Sequence, residues 1–117
     1  MKQKGYYLAG CSTCQRIIKE LGIEKRFELQ DIKSQAITQE QLDEMANLTG
    51  SYESLFSRRA IKYRTMALKD QQLSESDYRD LILKEYTFLK RPVTFYDGEI
   101  FIGNTKSEIE KLRLKLN

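Results

Sequence analysis

The chemistry available to this chain starts with Cys11 and Cys14, its only two cysteines, three positions apart in Cys11-Ser12-Thr13-Cys14. A thiol is a nucleophile only when ionised, and a free cysteine with a pKa near ~8.5 is mostly protonated at neutral pH. At the first turn of a helix, unpaired N–H groups and the positive end of the helix dipole favour the thiolate. Residues i and i+3 share a helical face, so Cys14 can attack a mixed disulfide formed at Cys11 and release the product. That geometry makes Cys11 the nucleophile and Cys14 the resolving thiol. Two other readings of the pair are small buried hydrophobes and half of a zinc site, which would need two further ligands.

The chain has no histidine. Ser-His and Cys-His nucleophile pairs are therefore excluded, as are zinc sites built with histidine. Catalysis is left to Cys, Arg, Lys, Tyr, carboxylates and backbone groups. One basic stretch stands out, Ser57-Arg58-Arg59-Ala60-Ile61-Lys62-Tyr63-Arg64, with four positive charges in seven residues. It reads either as a solvated helical face or as an anion or partner site.

The elements that must position the cysteines can be read from hydrophobic period and cap signals. Residues 6–9 are aromatic and apolar and predict a short buried strand. Ser12 and Thr13 offer N-cap hydroxyls, and Ile17, Ile18 and Leu21 follow at helical spacing until Gly22. Phe27, Leu29 and Ile32 alternate with polar neighbours and predict a second strand. Thr38-Gln39-Glu40-Gln41 is a capping-box pattern opening a helix with Leu42, Met45 and Ala46 inside, closed by Thr49-Gly50. Residues 51–73 predict short helical turns, and residues 74–89 a longer helix carrying Tyr78, Leu81 and Ile82. Val93-Thr94-Phe95-Tyr96 and Glu99-Ile100-Phe101-Ile102 flank Asp97-Gly98, a strong hairpin signal. A last helix opens with Thr105-Lys106-Ser107-Glu108 as a capping box and turns Ile109, Leu112 and Leu116 inward.

The predicted order is β-α-β, a helical insert, then β-β-α. This is the order a thioredoxin fold requires, an α/β arrangement with a four-stranded mixed sheet flanked by helices and a helical insertion after the second strand. Period alone leaves other α/β arrangements open. The single proline, Pro92, sits at the start of a hairpin strand, where proteins keep the cis isomer for specific tight geometry; sequence leaves the Arg91–Pro92 bond cis or trans. In a thioredoxin fold that loop faces the CxxC, so Arg91 would bring a permanent positive charge to Cys11 and hold its thiolate and any bound oxyanion. A surface arginine beside a trans proline is the alternative.

The 117 residues fit one domain, 1–117, and leave no room for two independent cores. No stretch approaches the ~20 apolar residues that cross a bilayer. The N-terminal apolar run is too short for a signal-peptide core, and two cysteines in a CxxC without an export signal predict a cytoplasmic chain with redox or metal-binding thiols. With a net charge of +3 and interspersed signs, no field for gripping nucleic acid is evident.

At Cys11-Ser12-Thr13-Cys14-Gln15-Arg16 together with Leu89-Lys90-Arg91-Pro92-Val93, the sequence resembles the ArsC/Spx family, which holds glutaredoxin-type arsenate reductases, the redox-sensing regulator Spx and their relatives. The likeness spans nearly the whole chain, including the Ser57-Arg58-Arg59 stretch and Ile102-Gly103-Asn104 before the last helix. A CxxC and an Arg-Pro about eighty residues apart are fairly specific together and weak singly. The resemblance implies a thiol-dependent oxidoreductase with Cys11 in the catalytic position, Arg91 as the arginine before the cis-proline, and Arg59, with Arg58 and Pro92, on the substrate. It further implies no bound cofactor, glutathione or a thioredoxin/glutaredoxin system as reductant, and an oxyanion or a glutathione mixed disulfide as substrate. Family arsenate reductases usually lack a second cysteine in the motif and carry a third arginine after the hairpin, where this chain has Gly103. Spx-like proteins share the CxxC and that glycine, and imply the alternative: a regulator that binds RNA polymerase and is switched by a Cys11–Cys14 disulfide.

Overall fold

In chain order the elements are β1 (Lys4–Tyr7), α1 (Ser12–Leu21), β2 (Glu28–Asp31), α2 (Gln39–Thr49), α3 (Ile61–Thr65), α4 (Glu75–Lys84), β3 (Val93–Tyr96), β4 (Glu99–Ile102) and α5 (Lys106–Leu116), with short 3-10 turns between several of them. They are seen in a computed structural model that describes residues 3–117. The chain forms two compact units, one from the described residues up to Ala36 with Arg91–Asn117, the other Ile37–Lys90.

The first unit holds the sheet, in the order β2-β1-β3-β4. β1 and β2 run parallel with Gly5 opposite Leu29, and parallel neighbours need a crossover, which α1 supplies. β3 pairs antiparallel with both β1 and β4. The Asp97-Gly98 turn has positive φ at both residues, 54° and 78°, as a two-residue hairpin of this twist requires. Gly5 leaves room for its neighbour: a Cβ there would come within 2.9 Å of a terminal methyl of Leu29 on the adjacent strand, which would have to shift.

The apolar faces predicted for α1 and α5 meet on one side of this sheet. Ile17 and Ile18 from α1, Phe101 from β4 and Leu112 from α5 share one buried cluster with Ile23 and Phe27, against which Ile109 and Leu116 pack. Each fully buried side chain of this size contributes roughly 1.5–3 kcal/mol of transfer free energy. Gly22 ends α1 in the left-handed region at φ 67°, its N–H returning to the Ile18 and Lys19 carbonyls.

Four sequence expectations shift for physical reasons. The first strand is Lys4–Tyr7 rather than residues 6–9, because the chain leaves the sheet at Leu8 to make a turn closed by the Cys11 N–H on the Leu8 carbonyl at 2.9 Å. The N-cap of α1 is Cys11, not Ser12 or Thr13, which are its first helical residues. The helix expected over 74–89 stops at Lys84, since Glu85 is extended (φ −138°, ψ 110°) and its carboxylate opens a separate 3-10 turn over Tyr86–Phe88. At α5, Thr105 caps the Glu108 N–H as expected, but the Glu108 carboxylate accepts from the Ile102 N–H at 3.0 Å and so ties the helix to β4.

In the second unit, the capping box at Thr38 and Gln41 forms in full, and Leu42, Met45 and Ala46 are buried. Residues 51–73 are short turns with the five-residue α3, as predicted. Phe56 bridges to Leu89 in an isolated antiparallel pair and stacks on Phe88, with Tyr78 edge-on. Asp43 joins α2 to α4 by accepting from Arg79 Nε at 3.0 Å and from the Tyr52 hydroxyl at 2.7 Å.

Leu112→Ala should destabilise the protein by about 2–5 kcal/mol through a cavity under α5, while Leu114→Ala, 67% exposed, should stay within about 0.5 kcal/mol. Urea denaturation followed by circular dichroism checks both; equal effects would refute this packing.

Candidate functional site

Everything at the site hangs on the four-residue turn between β1 and α1. Cys11 ends that turn in an extended conformation (φ −94°, ψ 112°) and begins the helix, its carbonyl accepting from the Gln15 N–H at 3.1 Å. Its side chain makes no conventional cap hydrogen bond, but the Thr13 and Cys14 N–H groups, left without helical carbonyl partners, are near enough to favour its thiolate.

The two thiols are driven apart by this placement. Partial burial pushes the Cys11 pKa up, but the Cys14 N–H and thiol, the Thr13 N–H and the Arg91 charge outweigh it, and the thiol lies below its ordinary value. Cys14 is fully buried, and that desolvation, reinforced by the neighbouring Cys11 sulfur, pushes it up to about 11 against the opposing pull of the Leu8 backbone and Arg91. At neutral pH one thiol is primed and the other is protonated. Both are free thiols here.

Arg91 enters the site as the residue before β3. It is half-buried, and its charge lowers the pKa of both cysteines. The Arg91–Pro92 peptide bond is cis, and Pro92 is buried with its carbonyl accepting from the Gly103 N–H at 2.9 Å. Gly103 itself sits at φ 84°, in the region that a side chain disfavours.

The structure thus brings Cys11, Cys14, Arg91 and Pro92 into the first unit, while Arg58 and Arg59 belong to the second. Arg58 is engaged there, donating to Glu53 at 2.9 Å and to the Tyr78 hydroxyl at 3.0 Å. Arg59 is exposed, and among the described residues its guanidinium has no hydrogen bond or ion pair. Lys62 pairs with Glu85 at 2.9 Å. Half of the basic stretch is therefore internally neutralised.

Sequence reasoning missed two residues that hold the turn. Asp31 Oδ1 accepts from the Ala9 N–H at 3.2 Å, and the Gln15 side-chain amide donates to the Ala9 carbonyl. Gln15 adjoins the CxxC and could have been noticed; Asp31 lies on another strand and gives no local signal. Among the described residues no group of three or more His, Cys, Asp or Glu side chains is arranged to hold a metal ion, and no helix is long and apolar enough to cross a membrane.

The ArsC family model matches residues 6–112. The chain belongs to the ArsC family. A protein from Bacteroides fragilis assigned as ArsC family related is 24% identical, with a TM-score of 0.79 over 96% of this chain and 99% of that one. An ArsC-related protein from Brucella melitensis is 22% identical, with a TM-score of 0.70 over 95% and 93%. An arsenate reductase from Vibrio cholerae is 15% identical, with a TM-score of 0.75 over the whole of both chains. No curated protein sequence matches. The fold is thioredoxin-like, which settles the choice among α/β arrangements that the element order left open, and the ArsC resemblance read from the two motifs holds.

The opposite shifts of the two thiols make a direct prediction. Iodoacetamide at neutral pH should label native protein at Cys11 alone, with Cys14 becoming reactive only as pH approaches about 11, and both should react in denaturant. Arg91→Met should move the Cys11 inflection upward. Mass spectrometry of the labelled peptides across pH reads this, and equal labelling of both cysteines at neutral pH would contradict it.

Proposed function

We propose that this ArsC-family chain is a cytoplasmic thiol-dependent oxidoreductase that acts through a covalent Cys11 intermediate resolved by Cys14. The observation that carries the reading is the divergence of the two thiols: a nucleophile held below its ordinary pKa at a helix start, and a buried partner held protonated one turn on. The family match across residues 6–112 supports taking 1–117 as one functional domain.

On a glutathione mixed disulfide, the Cys11 thiolate attacks the glutathione sulfur, the substrate thiolate leaves, and Cys11 carries glutathione. Cys14 then loses its proton and attacks Cys11 Sγ, releasing glutathione thiolate and forming the Cys11–Cys14 disulfide. Two electrons from glutathione or a glutaredoxin or thioredoxin restore both thiols. The first step prepares the second. Cys11 as a thiolate raises the Cys14 pKa, and that contribution ends once Cys11 is bonded to glutathione, leaving the Leu8 backbone and Arg91 to favour the Cys14 thiolate against burial.

Arg91 stabilises the attacking thiolate and an anionic substrate, and Pro92 fixes its approach. Arg59, whose guanidinium is uncommitted, is the substrate-binding arginine of the second unit, with Arg58 held beside it by Glu53. An oxyanion is the other substrate class the family offers. Position 103 favours the mixed disulfide, because a glycine at φ 84° stands where family arsenate reductases carry a third arginine.

That same glycine supports a second reading, a Spx-like regulator whose affinity for RNA polymerase changes on Cys11–Cys14 oxidation. It predicts different partner affinities for the two redox forms.

A coupled NADPH-consumption assay with glutathione and glutaredoxin, offering arsenate and a glutathionylated peptide separately, tests the reductase. Turnover of the peptide should vanish in Cys11→Ser, and Cys14→Ser should accumulate a Cys11–glutathione adduct visible by mass. Turnover retained in Cys11→Ser refutes the mechanism. No turnover from wild-type protein whose thiols still titrate favours the switch.

A further inference from the structure

The thiol chemistry above has no use for the Asp31 carboxylate at the end of β2, yet that group is directed at the turn that carries Cys11. Asp31 Oδ1 accepts from the Ala9 N–H at 3.2 Å and from the Lys33 N–H at 3.3 Å, and Oδ2 accepts from the Ser34 hydroxyl at 3.2 Å. Slight burial raises its pKa, but these three donors outweigh it and hold the carboxyl below its ordinary value, so it is ionised at neutral pH. From the other side the exposed Gln15, on α1, donates its side-chain amide to the Ala9 carbonyl.

Ala9 is the first central residue of the turn closed between Leu8 and Cys11. It lies beyond the last ladder residue of β1, Tyr7, so the sheet gives its peptide groups no partner. The Ala9 N–H is held by a residue of β2 and its carbonyl by a residue of α1. A turn gripped on both sides of one residue cannot rotate about that residue without breaking a hydrogen bond. Such rotation would swing Cys11 Sγ away from the Thr13 and Cys14 N–H groups and the Leu8 backbone away from Cys14.

We propose that Asp31 and Gln15 form a clamp on Ala9 that positions the redox thiols, making both of them positioning residues for the Cys11 chemistry. The inference rests on Cys11 being the reactive group of the proposed function, but it concerns the turn and not the substrate.

Charge and position predict opposite signs here. Removing a nearby negative charge by itself would favour the Cys11 thiolate and lower its pKa, equally in Asp31→Ala and Asp31→Asn. Loss of the clamp does the reverse, and only in the variant without an acceptor, since asparagine retains an Oδ1 for the Ala9 and Lys33 N–H groups.

The test is the pH–rate profile of Cys11 alkylation by iodoacetamide in the full-length protein, which needs neither substrate nor reductant and so reads the clamp even if turnover is never found. Asp31→Ala and Gln15→Ala should each move the inflection upward and slow alkylation at neutral pH roughly 3–10-fold, an upward shift of about half to one unit. Asp31→Asn should rescue most of the loss. Gln15→Ala, at an exposed position, carries the test if Asp31→Ala does not fold. Unchanged profiles in folded Gln15→Ala and Asp31→Ala, or a downward shift shared by both Asp31 variants, would overturn the proposal.

Discussion

The site depends on one backbone hydrogen bond, from the Cys11 N–H to the Leu8 carbonyl at 2.9 Å. It closes the turn that takes the chain out of β1 and into α1 within four residues. A longer connection would let the cysteine drift from the helix terminus, and the preference of unpaired N–H groups for an anion acts only over the first turn. The cost is that β1 ends early, at Tyr7, and that Ala9 is left without sheet partners. Side chains from β2 and α1 supply them instead.

From this one placement the two thiols acquire unlike chemistry at a spacing of three residues. Cys11, at the N-cap, is partly exposed and sees donors; Cys14, at the third helical position, faces inward and is fully buried. Helical geometry decides that inward direction, because Ile17 and Ile18 must face the sheet to bury against Phe101 and Leu112, and position 14 lies one turn before them on the same side. Core packing thus sets the raised pKa of Cys14, and the helix terminus sets the lowered one of Cys11. A change in the register of α1 would alter both.

Much of this was legible in the sequence. Cap residues and hydrophobic period located α1, α2, the hairpin and α5, since these signals are local and the tertiary contacts agree with them. Cys11, Cys14 and Arg91 were legible as a candidate group because a CxxC and an Arg-Pro restrict each other's meaning, and the structure puts the Arg91 charge within reach of both thiols. What sequence missed is non-local or a competition between two good local options. Asp31 reaches Ala9 across the parallel strand pair. Glu108 could have completed its capping box and instead satisfies the Ile102 N–H. The residues after Lys84 keep helical period, yet the Leu89 pairing with Phe56 and the Ser57 N–H on the Phe88 carbonyl at 2.7 Å are available only if the helix stops. Ser12 and Thr13 have the better capping hydroxyls, but the turn closure at Leu8 makes Cys11 the last non-helical residue before α1.

The positive charge reaches the thiols by a different route, through the hairpin. The Asp97-Gly98 turn fixes β4 against β3 so that Val93 faces Ile102, which brings Gly103 level with Pro92 and lets its N–H bond the Pro92 carbonyl at 2.9 Å. That contact anchors the residue directly after Arg91. A side chain at position 103 would strain a backbone at φ 84°, and any relaxation would act first on the Pro92 carbonyl. The glycine therefore follows from how this chain anchors its arginine. A side chain at that position would sit on strained backbone, so in the first unit the charge that acts on the thiols comes from Arg91, beside the Thr13 and Cys14 N–H groups at the start of α1.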